Sequence, residues 1–136
     1  MALEANADII TYAPQDKSVT EETATLMVQK KVVSVPTLTM MQAVSARPTL
    51  SAALGMIIFK PSLFMAIFGA KKNGQGQQTC ENAKDSVTMM YRAGVPILAG
   101  PDCHEEPYSV FEVKHGEFLH QELELLVEAG VSVLDA

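Results

Sequence analysis

The chain has 136 residues, of which 48% are hydrophobic and 19% charged, a composition typical of one folded domain rather than a disordered segment. Its 16 acidic and 10 basic residues give a formal net charge of −6, so charge provides no reason to expect nucleic acid or an anionic membrane surface as a partner. The two cysteines, Cys80 and Cys103, in a chain without a recognisable secretory signal, favour free thiols and a cytoplasmic location.

The first part of the chain predicts a strand, a helix and a second strand. Residues 7–13 form a short apolar run that ends at a proline, as a buried strand does. Ser18 and Glu21 have the spacing of a capping box, which predicts a helix that begins at Ser18. Residues 32–35 form another short apolar run before a proline, and they predict the second strand.

The middle of the chain contains two apolar runs, at residues 54–59 and 63–68, whose combined length approaches that of a membrane span. Lys60 and Pro61 divide them, and a lysine in the middle of a span costs roughly 2.5–3.5 kcal/mol on insertion scales. This cost favours two buried or lid-like helices over a transmembrane segment. The polar residues 71–78 that follow predict an exposed linker.

The last part of the chain predicts a helix at residues 81–92, a strand at 95–99 and a helix at 117–129. The second of these helices should bury an apolar face made of Phe118, Leu119, Leu123, Leu126 and Val127. Ser132 and Asp135 have the spacing of a further helix start. Strands that alternate with helices and are almost continuously apolar predict an α/β fold with parallel strands and right-handed crossovers.

Two segments resemble a known family in detail. Residues 93–102 read Ala-Gly-Val-Pro-Ile-Leu-Ala-Gly-Pro-Asp. They resemble the eighth barrel strand of metal-dependent amidohydrolases, which usually reads Ala-Gly-Val-x-Ile-x-x-Gly-Thr-Asp. Residues 115–130 resemble the helix after it, which reads His-Gly-x-x-Leu-His-x-Glu-Leu-x-Leu-Leu-Val-x-Ala-Gly in the imidazolonepropionase-like branch. Residues 7–14 and 35–38 are similar to the sixth and seventh strands.

The resemblance implies that residues 1–136 are one amidohydrolase-related domain, incomplete at both ends, with Met1 an internal methionine. The expected fold is a partial TIM barrel containing roughly the sixth to eighth βα units. The family hydrolyses carbon–nitrogen bonds other than peptide bonds, in amides, lactams and related small molecules, with zinc or another divalent metal as cofactor. Asp102 stands where the family has the aspartate that transfers a proton to the leaving group. By turn preferences alone, Asp102 would be a helix cap or turn residue.

The metal ligands are where this sequence departs from the family. Most of the strands that carry them lie outside this chain, and Tyr12 stands where the sixth strand should have histidine. A neutral phenol is a poor replacement for imidazole at zinc. Pro101 also replaces the usual threonine. Asp102 and His104 are the candidate metal ligands, and the alternative is a solvated loop in a chain that binds no metal.

Two functions follow from these residues. The first is a fragment of a metal-dependent amidohydrolase that acts on a small-molecule substrate. The second is a non-catalytic, truncated remnant that acts as an oligomerising or interaction module, because three parallel strands cannot close an eight-stranded barrel. The open edges of such a sheet favour self-association. Neither function involves nucleic acid or a membrane.

Overall fold

The computed structural model describes residues 2–45, 75–103 and 114–136. The two apolar runs at residues 54–59 and 63–68 lie outside this part of the chain, as does His104. The described elements, in chain order, are β1 (Ile9–Thr11), α1 (Glu21–Gln29), β2 (Val33–Val35), α2 (Leu38–Ser45), α3 (Gln75–Ala93) and α4 (Glu117–Glu128). The architecture is therefore mixed α/β, as the alternation of elements predicts.

The strands β1 and β2 pair in parallel, which confirms the predicted strand direction. Their register aligns Ile9 with Val33, Ile10 with Ser34, and Thr11 with Val35. The intervening α1 is the crossover that a parallel pair needs, because a tight hairpin turn can only join antiparallel strands.

The predicted third strand at residues 95–99 is reduced to one parallel bridge, between Ser34 and Ile97. Ser34 donates its backbone N–H to the Pro96 carbonyl, and Leu98 donates to the Ser34 carbonyl, both at 2.9 Å. In this register the next ladder bonds would need N–H donors at positions 36 and 96. Both positions are proline, which has no backbone N–H. The ladder between β2 and the third segment therefore stops on both sides of this single bridge.

Helix α1 begins later than the capping box predicts. The side chain that caps it is Thr20, whose hydroxyl accepts the Thr23 backbone N–H at 3.3 Å, so the prediction of a start at Ser18 is wrong. Val19 instead donates its backbone N–H to the Ser86 hydroxyl of α3 at 3.0 Å. This long-range hydrogen bond holds the residues before the helix in a non-helical conformation.

Helices α2 and α3 were not fully predicted. The sequence patterns do not predict α2, and α3 begins at Gln75, inside the predicted linker at residues 71–78. The linker prediction is therefore wrong for residues 75–78. Glutamine is a good helix former, so a polar, glutamine-rich run is compatible with a helix as well as with an exposed loop.

The core is formed by apolar side chains from all four described helices and from the strand ends. Helix α3 packs against α1, α2 and α4, which places it at the centre of the helical layer. Burial of each large side chain contributes about 1.5–3 kcal/mol of transfer free energy. The buried cluster consists of Ala13, Met27, Val32, Leu38, Met41, Ala83, Val87, Met90, Val95, Leu125, Leu126, Ala129 and Val131.

Helix α4 buries the predicted face only in part. Leu126 is buried and Phe118 and Leu123 are half-buried, whereas Leu119 and Val127 are 41% and 38% exposed. The prediction is therefore confirmed for Leu126 and wrong for Leu119 and Val127, and the buried face also contains Glu122 and Leu125. The reason is that Glu122 has hydrogen-bond donors on α2, so the helix turns its carboxylate inwards.

No helix among the described residues is long and apolar enough to cross a membrane.

Candidate functional site

Three residues at the carboxyl ends of the parallel segments have left-handed backbone conformations. Tyr12 follows β1 directly, Thr37 lies two residues after β2, and Asp102 follows the third segment. Their φ angles are 65°, 56° and 53°. Positive φ is uncommon for residues other than glycine, and such residues cluster at functional sites. The carboxyl ends of parallel strands are also where α/β proteins place their active sites.

Tyr12 and Asp102 meet at this end of the sheet. The Tyr12 phenol donates a hydrogen bond of 2.5 Å to Asp102 Oδ2, although 90 residues separate the two in sequence. Both side chains are exposed, so a molecule outside the fold can reach them. The predicted catalytic residue Asp102 thus lies at the carboxyl end of the parallel segments, where it is hydrogen-bonded to Tyr12.

The hydrogen bond changes the acid–base behaviour of the phenol. Donation to Asp102, followed by partial burial and the charge of the same carboxylate, raises the pKa of Tyr12 above its ordinary value of 10.0. Tyr12 is therefore a neutral donor at physiological pH. A neutral phenol that already donates to a carboxylate is not available as an anionic metal ligand.

The backbone of Tyr12 is fixed on β2. Tyr12 donates its N–H to the Val35 carbonyl and Ala13 donates to the Pro36 carbonyl, both at 2.9 Å. The Pro36 carbonyl also accepts the Thr37 hydroxyl at 2.7 Å. These bonds hold the ends of β1 and β2 side by side.

Glu122 of α4 binds the start of α2, immediately after this strand end. Its carboxylate accepts the backbone N–H groups of Leu38 and Thr39 at 2.9 and 2.7 Å, and the Thr39 hydroxyl at 2.6 Å. Sequence reasoning missed this residue. The available signal was a glutamate placed among the apolar residues of α4, which is unusual for a helix that packs on a core.

The described residues do not provide a metal site. No group of three or more histidine, cysteine, aspartate or glutamate side chains lies together in residues 2–45, 75–103 and 114–136. Asp102 accepts a hydrogen bond from the Tyr12 phenol. His104, the second predicted metal ligand, lies outside the described residues. His115 and His120 are exposed, at the beginning of α4. Among the described residues, the set of ligands for the zinc or other divalent ion that the resemblance implies is therefore incomplete.

Comparison with known proteins supports the fold. No family model matches the chain, and no curated protein matches it. The chain is similar to the solved structure of a Xaa-Pro dipeptidase with methionine bound in its active site, with a TM-score of 0.58 and 22% sequence identity. The similarity covers 96% of this chain and 26% of the dipeptidase chain.

The chain therefore spans about a quarter of the length of that enzyme. At 22% identity the likeness shows the fold alone. The assignment to the amidohydrolase superfamily and to its imidazolonepropionase-like branch, and the partial TIM barrel, stay predictions.

Proposed function

We propose that the chain is the C-terminal part of an amidohydrolase-fold hydrolase that cleaves a carbon–nitrogen bond in a small molecule. Asp102 is the residue that transfers the proton. The observation that carries this proposal is the Tyr12–Asp102 hydrogen bond of 2.5 Å at the carboxyl end of the parallel segments. The proposed location of the protein is the cytoplasm.

The chemistry assigned to Asp102 is general acid–base catalysis. Hydrolysis of an amide or lactam requires a base that takes a proton from the attacking water and an acid that gives it to the leaving nitrogen. A carboxylate has several lone-pair sites, so it can accept the Tyr12 phenol and still take up a proton. The phenol orients the carboxylate, and its raised pKa keeps it from competing as a base.

The remaining parts of the site come from outside this chain in the proposed hydrolase. The two strands and one further bridge of the described residues cannot enclose a barrel. In the proposed hydrolase, the other strands of the barrel come from a longer protein or from another chain. No step is assigned to a metal ion here. Asp102 and His104 stay the proposed metal-contacting residues of this segment.

The test uses monodisperse protein, a panel of amides, lactams, imides and Xaa-Pro dipeptides, and assays with and without added zinc. Where a longer protein or an assembly of chains supplies the other strands, we expect turnover that is lost in Asp102→Asn. Asp85→Asn is the matched control, because Asp85 is also exposed but lies on α3. Turnover that survives in Asp102→Asn would contradict the proposed role, and a chain without any turnover would favour the second function.

That second function is a non-catalytic interaction module. The observation that favours it is the exposure of apolar side chains on the two outer segments of the sheet, Ile9 at 57% and Leu98 at 54%. Unpaired strand edges with exposed apolar residues promote association with another copy. Sedimentation velocity should then show concentration-dependent oligomers that dissociate in Ile9→Lys or Leu98→Lys. A protein that stays monomeric at all concentrations argues against this module.

A further inference from the structure

We infer that Glu122 is a positioning residue for the Tyr12–Asp102 pair, because its buried carboxylate fixes the start of α2 and with it the end of β2. The inference rests on the proposed function only where it assigns the Tyr12–Asp102 pair to hydrolysis. The hydrogen bonds that connect Glu122 to the pair are independent of that use.

The burial of Glu122 is the first argument. Its side chain is 0% exposed, and a glutamate is almost never fully buried unless its charge is paired or hydrogen-bonded. Here the carboxylate accepts three donors, namely the Leu38 and Thr39 backbone N–H groups and the Thr39 hydroxyl. The two N–H groups belong to the first turn of α2, where backbone donors have no partner within the helix.

The second argument is the conformation of the residue before α2. Thr37 has a φ of 56°, which is an outlier for a β-branched side chain. Such a conformation persists only where the surroundings determine it from several sides. Glu122 binds the chain just after Thr37, and the Thr37 hydroxyl donates to the Pro36 carbonyl just before it.

The third argument is the continuous connection from Glu122 to Tyr12. The Pro36 carbonyl accepts the Ala13 backbone N–H at 2.9 Å, and the Val35 carbonyl accepts the Tyr12 N–H at 2.9 Å. The backbone of Tyr12 is thus held on the strand end that Glu122 anchors. The direction of the Tyr12 phenol towards Asp102 depends on that backbone, whose φ is 65°.

The substitution that tests this role is Glu122→Gln. A glutamine side chain has one acceptor oxygen, and its amide group would point two donors at backbone N–H groups that are donors themselves. We expect the first turn of α2 to shift and the end of β2 to move with it. The Tyr12–Asp102 hydrogen bond then weakens.

The readout is the titration of Tyr12 by NMR in protein labelled with ¹³C at the tyrosine ζ carbon, with the signal assigned through Tyr12→Phe. In the unmodified protein the pKa of Tyr12 should exceed 10.0 because of its bond to Asp102. In Glu122→Gln it should fall towards that value. Leu126→Ala is the matched control, because Leu126 is buried on the same face of α4 but is apolar. It should lower stability and leave the Tyr12 titration unchanged.

An unchanged Tyr12 titration in Glu122→Gln overturns the inference, as does an equal change in Leu126→Ala. If Glu122→Gln does not fold, Thr39→Val decides by the same criterion, because it removes only the hydroxyl donor and keeps both backbone donors. The readout does not require activity. A protein that shows the expected titrations without turnover would contradict the proposed hydrolase and leave the positioning role of Glu122 intact.

Discussion

Gly100 lies so close to Val35 that a Cβ atom on Gly100 would be 2.5 Å from Val35 Cγ1. Only a residue without a side chain allows the third parallel segment to approach β2 in this way. Asp102 follows two residues later and accepts the Tyr12 phenol at 2.5 Å. The packing of Gly100 against Val35 therefore supports the sheet next to the candidate site.

We expect Gly100→Ala to lower the free energy of unfolding by roughly 1–3 kcal/mol, the usual cost of overpacking. Val35→Ala removes the Cγ1 atom with which the new methyl group would collide. The double variant should therefore lose less stability than the sum of the two single variants. Urea unfolding followed by circular dichroism measures all three. Strictly additive losses would show that the two sites do not interact.

The raised pKa of Tyr12 predicts a pH dependence of stability. The folded state holds the phenol proton of Tyr12 more tightly than the unfolded state does. The contribution of Tyr12 to the free energy of unfolding is therefore fully present below the pKa that Tyr12 has in the unfolded chain, near 10.0. It is lost as the pH rises through the higher pKa of the folded state. Unfolding curves of Tyr12→Phe and the unmodified protein should therefore converge as the pH increases above 10.0.

Asp102→Asn is the control for this convergence, because it removes the carboxylate that raises the pKa of Tyr12. In an Asp102→Asn background, the further change Tyr12→Phe should produce little pH-dependent difference in this range. A difference that persists in that background would mean that another group causes it.

Asp135 predicts a pH dependence at the acidic end. Hydrogen bonds from Ser132 and then Tyr91 lower the pKa of Asp135 below 3.8. The contribution of Asp135 to the free energy of unfolding is therefore present above the pKa that Asp135 has in the unfolded chain. It is lost as the pH falls through the lower pKa that Asp135 has in the folded state. Asp135→Asn should be less stable than the unmodified protein at neutral pH, and the two should converge at pH values below 3.8. Thermal unfolding at several pH values measures this, and a gap that widens on acidification contradicts it.

The thiol of Cys80 should react slowly with alkylating reagents. Burial, which is the largest cause, raises the pKa of Cys80 above 9.0, and the nearby Lys84 opposes this rise. Iodoacetamide labelling followed by peptide mass spectrometry should show slower modification of Cys80 in the folded protein than in the urea-unfolded chain at pH 8.

Lys84→Gln tests the electrostatic part of this prediction. Loss of the positive charge should raise the pKa of Cys80 further and slow its labelling, while Lys30→Gln, on the C-cap of α1, should leave the rate unchanged. Faster labelling in Lys84→Gln would indicate that the salt bridge between Lys84 and Glu128 limits access to the thiol.

The order of elements could be predicted because it depends on local patterns. Short apolar runs that end in proline predicted β1 and β2, and Gly94 and Gly130, with φ of 89° and 92°, lie just after α3 and α4 as helix-ending glycines do. The shortness of the third strand could not be predicted from its own residues. Pro96 by itself is compatible with an edge strand. Only the pairing of Ser34 with Ile97 shows that Pro36 of the neighbouring segment also ends the hydrogen-bond ladder.

The amino-acid sequence by itself determined the alternation of strands and helices and the placement of Asp102 after an apolar segment. Only the tertiary structure decided that Tyr12 donates to Asp102 and that Glu122 points into the core. The physical reason is that periodicity reports how a segment divides between apolar and polar faces. Periodicity carries no information about the distant hydrogen-bond partner that stabilises a polar side chain in one position. For Asp102 this partner is Tyr12, which is 90 residues away in sequence.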